Sequence, residues 1–267
     1  METTAATIWP PKESLFGVNV SVTHYQEVVQ TVVDSALRGE AGIATFLPVH
    51  GIVTAATDTQ YREKINQFNI VAPDGQPVRW SLNFFHKANL TDRVYGPETM
   101  RRCCERAAET GVSIFLYGST PDVLKQLSAS LVEMFPALKI AGVESPPFRP
   151  LSGEENDEAC NRINESGAGL VFIGLGCPRQ EAFAFKNRNK IRGVQLCVGA
   201  AFDFHAGNKK TAPAIMQKYG MEWLFRLSQE PGRLWKRYLV TNSIFCWLFF
   251  VNFLKGGRRP ATHGRVS

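Results

Sequence analysis

From about residue 16 to residue 219, short apolar segments of extended character alternate with longer segments of helical period. That alternation is the pattern of a largely parallel sheet covered by helices on both faces, so the expected architecture is α/β and Rossmann-like. Expected strands lie at 43–47, 69–72, 112–117, 138–143, 170–175 and 194–198, several of them running into a glycine or a tight turn. The clearest helix opens with Thr23 as N-cap, sets Val28, Val29, Val32, Val33, Ala36 and Leu37 on one face, and ends at Gly39. The proline-rich stretch 146–150 reads as a stiff loop between two halves of one sheet. Pro231 reads as the boundary between two helices near the end of the chain, which puts Arg233 and Arg237 four apart on one face of the second.

Charge divides the chain differently from hydropathy. The formal net charge is +6, and residues 219–267, with eight Lys or Arg against two Glu, carry all of it. Residues 1–218 are therefore expected to be a charge-balanced α/β body, and 219–267 a basic, amphipathic helical appendage. Within that appendage the uncharged run 238–254 contains Ile244, Phe245, Trp247, Leu248, Phe249 and Phe250. It is flanked by Lys236 and Arg237 before and by Lys255, Arg258 and Arg259 after. Apolar and aromatic side chains between basic flanks suit an interface of acyl chains and anionic headgroups. A nucleic-acid binder spreads its basic patch over a folded face, so an anionic membrane surface is the expected partner and nucleic acid is not. The 17 uncharged residues reach only the lower limit for a spanning helix, and polar Thr241, Asn242, Ser243 and Asn252 dilute them, so attachment in the plane of the membrane is expected. Packing of this helix on the body or on a second subunit is the alternative, and a homo-oligomer stays open.

The six cysteines form no C-x-x-C pair and sit among apolar segments, so they read mostly as small buried hydrophobes. The first residues lack a basic start followed by a long apolar run; no secretory signal is expected, and the expected compartment is the cytoplasm.

In open α/β sheets ligands sit beyond the carboxyl ends of the strands, which singles out a few polar residues. Gly118 ends one strand and is followed by Ser119, Thr120 and Pro121, a helix start whose free N–H groups suit a phosphate. Gly174-Leu175-Gly176-Cys177-Pro178-Arg179-Gln180-Glu181 repeats that layout and fails the dinucleotide fingerprint at its third glycine. Asp74 follows an apolar strand as either a turn aspartate or a general base. Arg93 is either a phosphate-gripping fork or half of a surface ion pair with Asp92 or Glu98. His50 is a polar group at another strand end or a buried, hydrogen-bonded histidine. Asp203 is a ribose or uracil contact or an ordinary Asx turn. Neither H-E-x-x-H, C-x-x-C, D-x-D nor a nucleoside-triphosphate loop occurs, so no metal ligands and no cofactor are expected.

Taken in order, these segments resemble one family. Ala72-Pro73-Asp74-Gly75, Asp92-Arg93-Val94-Tyr95-Gly96, Phe115-Leu116-Tyr117-Gly118 and the segment from Gly174 to Glu181 are followed by Gly199-Ala200-Ala201-Phe202-Asp203. Met221-Glu222-Trp223-Leu224-Phe225-Arg226-Leu227 and Glu230-Pro231-Gly232-Arg233 then complete the series. Together they resemble the WecG/TagA/CpsF glycosyltransferases (glycosyltransferase family 26) of bacterial surface-polysaccharide assembly, over about two thirds of the chain.

The resemblance implies an inverting transfer, without a metal ion, of a hexose-type sugar from a UDP-sugar to a polyprenyl-diphosphate-linked sugar. It implies Asp74 as the base on the acceptor hydroxyl, and Arg226, Arg233 and Arg237 as the charges that stabilise the departing diphosphate when the appendage meets the cytoplasmic face of the cell membrane. Gln180 and Glu181, with Gly118 and Asp203, are the implied donor contacts, and Arg93 grips the acceptor diphosphate. One segment departs from the family: where a Thr-x-Asn is usual, this chain reads Phe46-Leu47-Pro48-Val49-His50-Gly51, so His50 takes the acceptor-side place. That departure implies a sugar pair other than the N-acetylmannosaminyl one, on the glucosyl, exopolysaccharide branch. Competing readings are a non-catalytic membrane-binding scaffold and another nucleotide-dependent enzyme of Rossmann type.

Overall fold

The computed structural model describes residues 7–256; the basic flank at Arg258 and Arg259 and the first six residues lie outside the described residues. Six strands form one parallel sheet: β3 (Gly42–Leu47), β4 (Ile70–Pro73), β5 (Ser113–Gly118), β6 (Lys139–Glu144), β7 (Leu170–Gly174) and β8 (Val194–Cys197), in spatial order β4-β3-β8-β7-β5-β6. All six expected strands are present, each within a residue or two of its expected ends. β1 (Lys12–Leu15) and β2 (Val18–Ser21), which the sequence reading did not anticipate, make a separate antiparallel hairpin.

Strand residues point alternately to opposite faces, and the sheet uses this to build two cores. Ala44, Phe46, Ile70, Ala72, Ile114, Leu116, Phe172 and Leu196 pack on one side against α1 (Tyr25–Leu37) and α5 (Gly96–Thr110), joined there by α6 (Pro121–Met134). Ile43, Leu47, Val71, Phe115, Tyr117, Val171, Ile173 and Cys197 face the other side. There they meet the hairpin, α2 (Val49–Thr57), α3 (Thr59–Ile65), α4 (Gln76–His86), α7 (Gly153–Glu165) and α8 (Arg179–Asn187). With both faces covered, the strands other than the edge strand β6 carry near-continuous apolar runs.

Two local readings are corrected, and the cysteine reading holds for four of the six. The N-cap of α1 is His24, whose Nδ1 accepts the Glu27 N–H at 3.3 Å; the Thr23 hydroxyl instead donates to Glu27 Oε2 at 2.6 Å. The proline stretch 146–150 does not join two halves of the sheet. It follows β6, the edge strand, and leads into α7. Of the cysteines, Cys103, Cys104, Cys160 and Cys197 are buried, Cys177 is half-buried and Cys246 is exposed.

After β8 come the short α9 (Ala201–His205) and a run of helices that starts before residue 219: α10 (Ala214–Lys218), α11 (Glu222–Gln229) and α12 (Pro231–Leu254). Pro231 does separate the last two. The 24-residue α12 contains an 18-residue stretch with a mean hydropathy of 1.3, which by length and composition alone would suffice to cross a membrane. It nevertheless lays one side on the body. Phe245 is buried at 5.4 Å from the Phe16 ring, and Phe249 lies 4.8 Å from Phe85 and 5.3 Å from Phe84. Its other side leaves Trp235, Leu239, Trp247, Phe250 and Leu254 exposed.

Candidate active site

A cavity of about 1450 Å³ runs along the carboxyl edge of the sheet. Its floor is made by the strand ends: Asp74 after β4, Pro48 after β3, Val198 and Gly199 after β8, Gly174 to Gly176 after β7, and Ser119 after β5. Gly118 is buried between the lining residues Tyr117 and Ser119 and does not itself line the cavity; the backbone closes tightly there. Its φ of +124° belongs to glycine, and a Cβ there would stand 2.7 Å from the Gly174 carbonyl carbon. α11 and α12 roof one end, and the proline loop with Phe148 and Arg149 walls the other. Nine basic side chains line this space against four acidic ones, so it favours an anionic ligand.

Asp74 sits where β4 gives out. Its N–H donates to Leu47 O at 3.2 Å, and its Oδ2 accepts the N–H of Gly96, the first residue of α5, at 3.3 Å. Burial in the cleft pushes its proton affinity up to about 6; Arg93 and Arg226 pull against that rise, and Glu222 adds to it. A carboxylate of raised proton affinity that lines the cleft is suited to take a proton from a bound hydroxyl.

Arg93 is buried and makes neither of the ion pairs considered from sequence. Asp92 accepts the Arg93 backbone N–H at 2.7 Å, and Glu98 is taken by Arg101 and Arg102. The Arg93 guanidinium instead meets Glu222 at 2.6 Å, donates to Gln217 Oε1 at 3.1 Å and lies 4.4 Å over the Tyr95 ring. Arg226 reaches the same Glu222 at 2.6 Å and the Tyr95 hydroxyl at 3.2 Å. Asp74, Arg93 and Arg226 are thus neighbours, and Glu222, which sequence reasoning quoted only inside a motif, joins them.

Arg233 and Arg237 line the cleft from the first turns of α12, as their spacing predicts. Arg233 pairs with Glu230, while the Nε of Arg237 is buried without a partner and its guanidinium lies 5.4 Å from the Tyr238 ring. His50, in the first turn of α2, is a half-buried wall residue and not a core histidine; burial and Arg237 lower its proton affinity, keeping the imidazole neutral.

The residues assigned to the donor separate into two levels. Gln180 lines the cleft, donating to Glu181 Oε1 at 2.8 Å and to Cys197 O at 3.2 Å, while its own Oε1 is buried without a partner. Glu181 lies beneath that floor, 1% exposed, and accepts the Thr45 hydroxyl at 3.0 Å. Burial raises its proton affinity, so it anchors Gln180 and does not face a ligand. Asp203 lines the cleft and pairs with Lys209 at 3.2 Å. Sequence reasoning also passed over Lys209, Arg179 and Phe148 on these walls; the Arg179 guanidinium lies 5.0 Å over the exposed Phe148 ring. The run of prolines was the available signal, since it holds that ring out over the cleft.

No group of three or more His, Cys, Asp or Glu arranged to hold a metal ion occurs among the described residues. The cleft therefore offers one carboxylate of raised proton affinity, a cationic wall and a glycine-tight floor, which is equipment for a hydroxyl nucleophile attacking beside an anionic leaving group. The sequence pattern of one family spans nearly all of this framework: the Glycosyl transferase WecG/TagA/CpsF family matches residues 13–259. The chain belongs to that family of glycosyltransferases and is an enzyme.

Proposed function

We propose that the protein moves a hexose-type sugar from a UDP-sugar to a polyprenyl-diphosphate-linked sugar, with inversion and without a metal ion, at the cytoplasmic face of the membrane. The observation that carries this reading is Asp74, a carboxylate of raised proton affinity beside Arg93 and Arg226 at the floor of a cationic cleft. Asp74 takes the proton of the acceptor hydroxyl as that oxygen attacks the anomeric carbon. UDP leaves from the opposite face of the sugar. Arg226, Arg233 and Arg237 face the charge that develops on the diphosphate, and Gln180 and Asp203 hold the nucleotide side. Arg93 and His50 take the acceptor side.

Attachment in the membrane plane is favoured over crossing. Arg233 and Arg237 at the start of α12 line the cleft, which leaves 238–254 as the uncharged length. At 1.5 Å per residue that run is roughly 25 Å, short of a hydrocarbon core of about 30 Å, and Phe245 and Phe249 already face protein. Trp235, Leu239, Trp247 and Phe250 remain to enter the interface, with Lys236 and Lys255 for anionic headgroups.

A panel of UDP-sugars, each incubated with a polyprenyl-diphosphate-linked monosaccharide in anionic vesicles, tests this reading. One donor should be consumed, only when acceptor is present, and equally with EDTA. Transfer from none of them would overturn the donor and acceptor assignment. A loss with EDTA that magnesium restores would overturn the metal-free step.

A further inference from the structure

The α11 helix buries none of its residues, yet it holds Arg226 in the cleft. Full apolar burial therefore does not fix it, although Phe225 and Leu227 are half-buried. Polar contacts tie it to the body: Glu222 Oε2 meets Arg93 at 2.6 Å and Arg226 donates to the Tyr95 hydroxyl at 3.2 Å, while Glu222 Oε1 holds Arg226 at 2.6 Å within the helix, with side-chain exposures of 12% for Glu222 and 8% for Arg93. Two guanidinium groups drawn to one carboxylate would otherwise repel, and a bridge this shielded is held more firmly than a surface pair.

We propose that Glu222 is a positioning residue, whose carboxylate spans Arg93 of the body and Arg226 of α11 and so sets both guanidinium groups beside Asp74. The inference rests on the reading of Asp74 as the base and adds a condition to it: the site is complete only while α11 is docked. The groups that face Asp74 are few. Arg93 and Tyr95 come from the loop before α5, Tyr25 from α1, and Glu222 and Arg226 from α11. Of the acids among them, Glu222 is the one that acts on Asp74 from the cover, and its charge makes the Asp74 carboxylate a stronger base.

Glu222→Gln keeps the size of the side chain and removes the charge. The amide oxygen that replaces the carboxylate still accepts from a guanidinium, so the arginines stay near while the negative charge is lost, and Asp74 should release its proton at lower pH. The carboxyl carbon of Asp74, assigned with Asp74→Asn, is followed by NMR from pH 4 to pH 8. Its midpoint should fall by about half a pH unit or more in the Glu222→Gln protein. The acidic limb of kcat should move the same way, with kcat down about 10- to 100-fold. Glu222→Asp, which keeps the charge, should retain most of both. An unmoved Asp74 midpoint in folded Glu222→Gln protein would overturn the proposal, as would a Glu222→Asp midpoint displaced as far as that of Glu222→Gln. A midpoint that moves while the kinetic limb stays put supports the positioning role and instead removes Asp74 as the base, so the two readings fail separately.

Discussion

In the sheet, Leu116, Phe172 and Leu196 are fully buried and paired on both sides along a parallel ladder, whereas α10 and α11 bury no residue and α12 buries only Leu234, Thr241 and Phe245. Each region gives the cleft something the other lacks. The sheet supplies a rigid floor with Asp74 at a strand end. The helical cover supplies Arg226, Arg233 and Arg237, held by a shielded ion bridge and a patch of phenylalanines. Damage to the floor should therefore cost stability, and damage to the cover should cost turnover while leaving the body folded.

Asp74→Asn gives the largest separation between the two quantities. Turnover should fall by about 10²- to 10⁴-fold, the range for losing a general base, while calorimetry shows a folded protein that still binds UDP. Stability should move the other way. Folded Asp74 holds its proton up to about pH 6 against an ordinary value of 3.8, so wild-type stability declines as pH rises through that window and stays lower above it. The Asn variant escapes this decline and should be more stable at pH 7.5 by about 1–3 kcal/mol, with the gain vanishing below about pH 4. Unchanged turnover would remove Asp74 from the mechanism.

A matched pair of truncations and additions tests the floor against the cover. Gly118→Ala puts a methyl 2.7 Å from the Gly174 backbone at a φ of +124°, and denaturant melts should show a loss of about 3 kcal/mol or more. Phe245→Ala removes the ring that α12 buries against Phe16, and should cost turnover and loosen proteolytic protection of 231–254 while the main unfolding transition shifts less. If the two variants melted alike, floor and cover would be one cooperative unit. Arg237→Ala is the mildest of these changes. It removes a cleft-lining guanidinium whose Nε has no partner, so kcat should drop about 10-fold with the melting temperature unchanged.

How much of this could be read from residues depends on range. Most strands of the sheet were legible because each is an apolar run ending at or near a glycine or proline, a signal contained within the segment. The β1–β2 hairpin was not, because its strands are four residues each and Phe16-Gly17, both at positive φ, is an unusual pair for such a turn. Asp74, Arg93 and the three tail arginines were found through short motifs, and the structure puts all five on one cleft. Glu181 does not line the cleft although its neighbour Gln180 does, because successive residues on a helix point in different directions, and a linear motif does not separate the two. The partner of Arg93 was invisible for another reason: Glu222 lies far away in the chain, and only the fold of the cover brings it within 2.6 Å.

The pH dependence of kcat/KM, measured with the UDP-sugar and a lipid-linked acceptor in vesicles, tests the central claim most directly. The account predicts an acidic limb with a midpoint near pH 6, where Asp74 gains its proton, and its absence from the residual activity of Asp74→Asn. A profile that stays flat from pH 5 to pH 8, or a limb that survives in that variant, would contradict it.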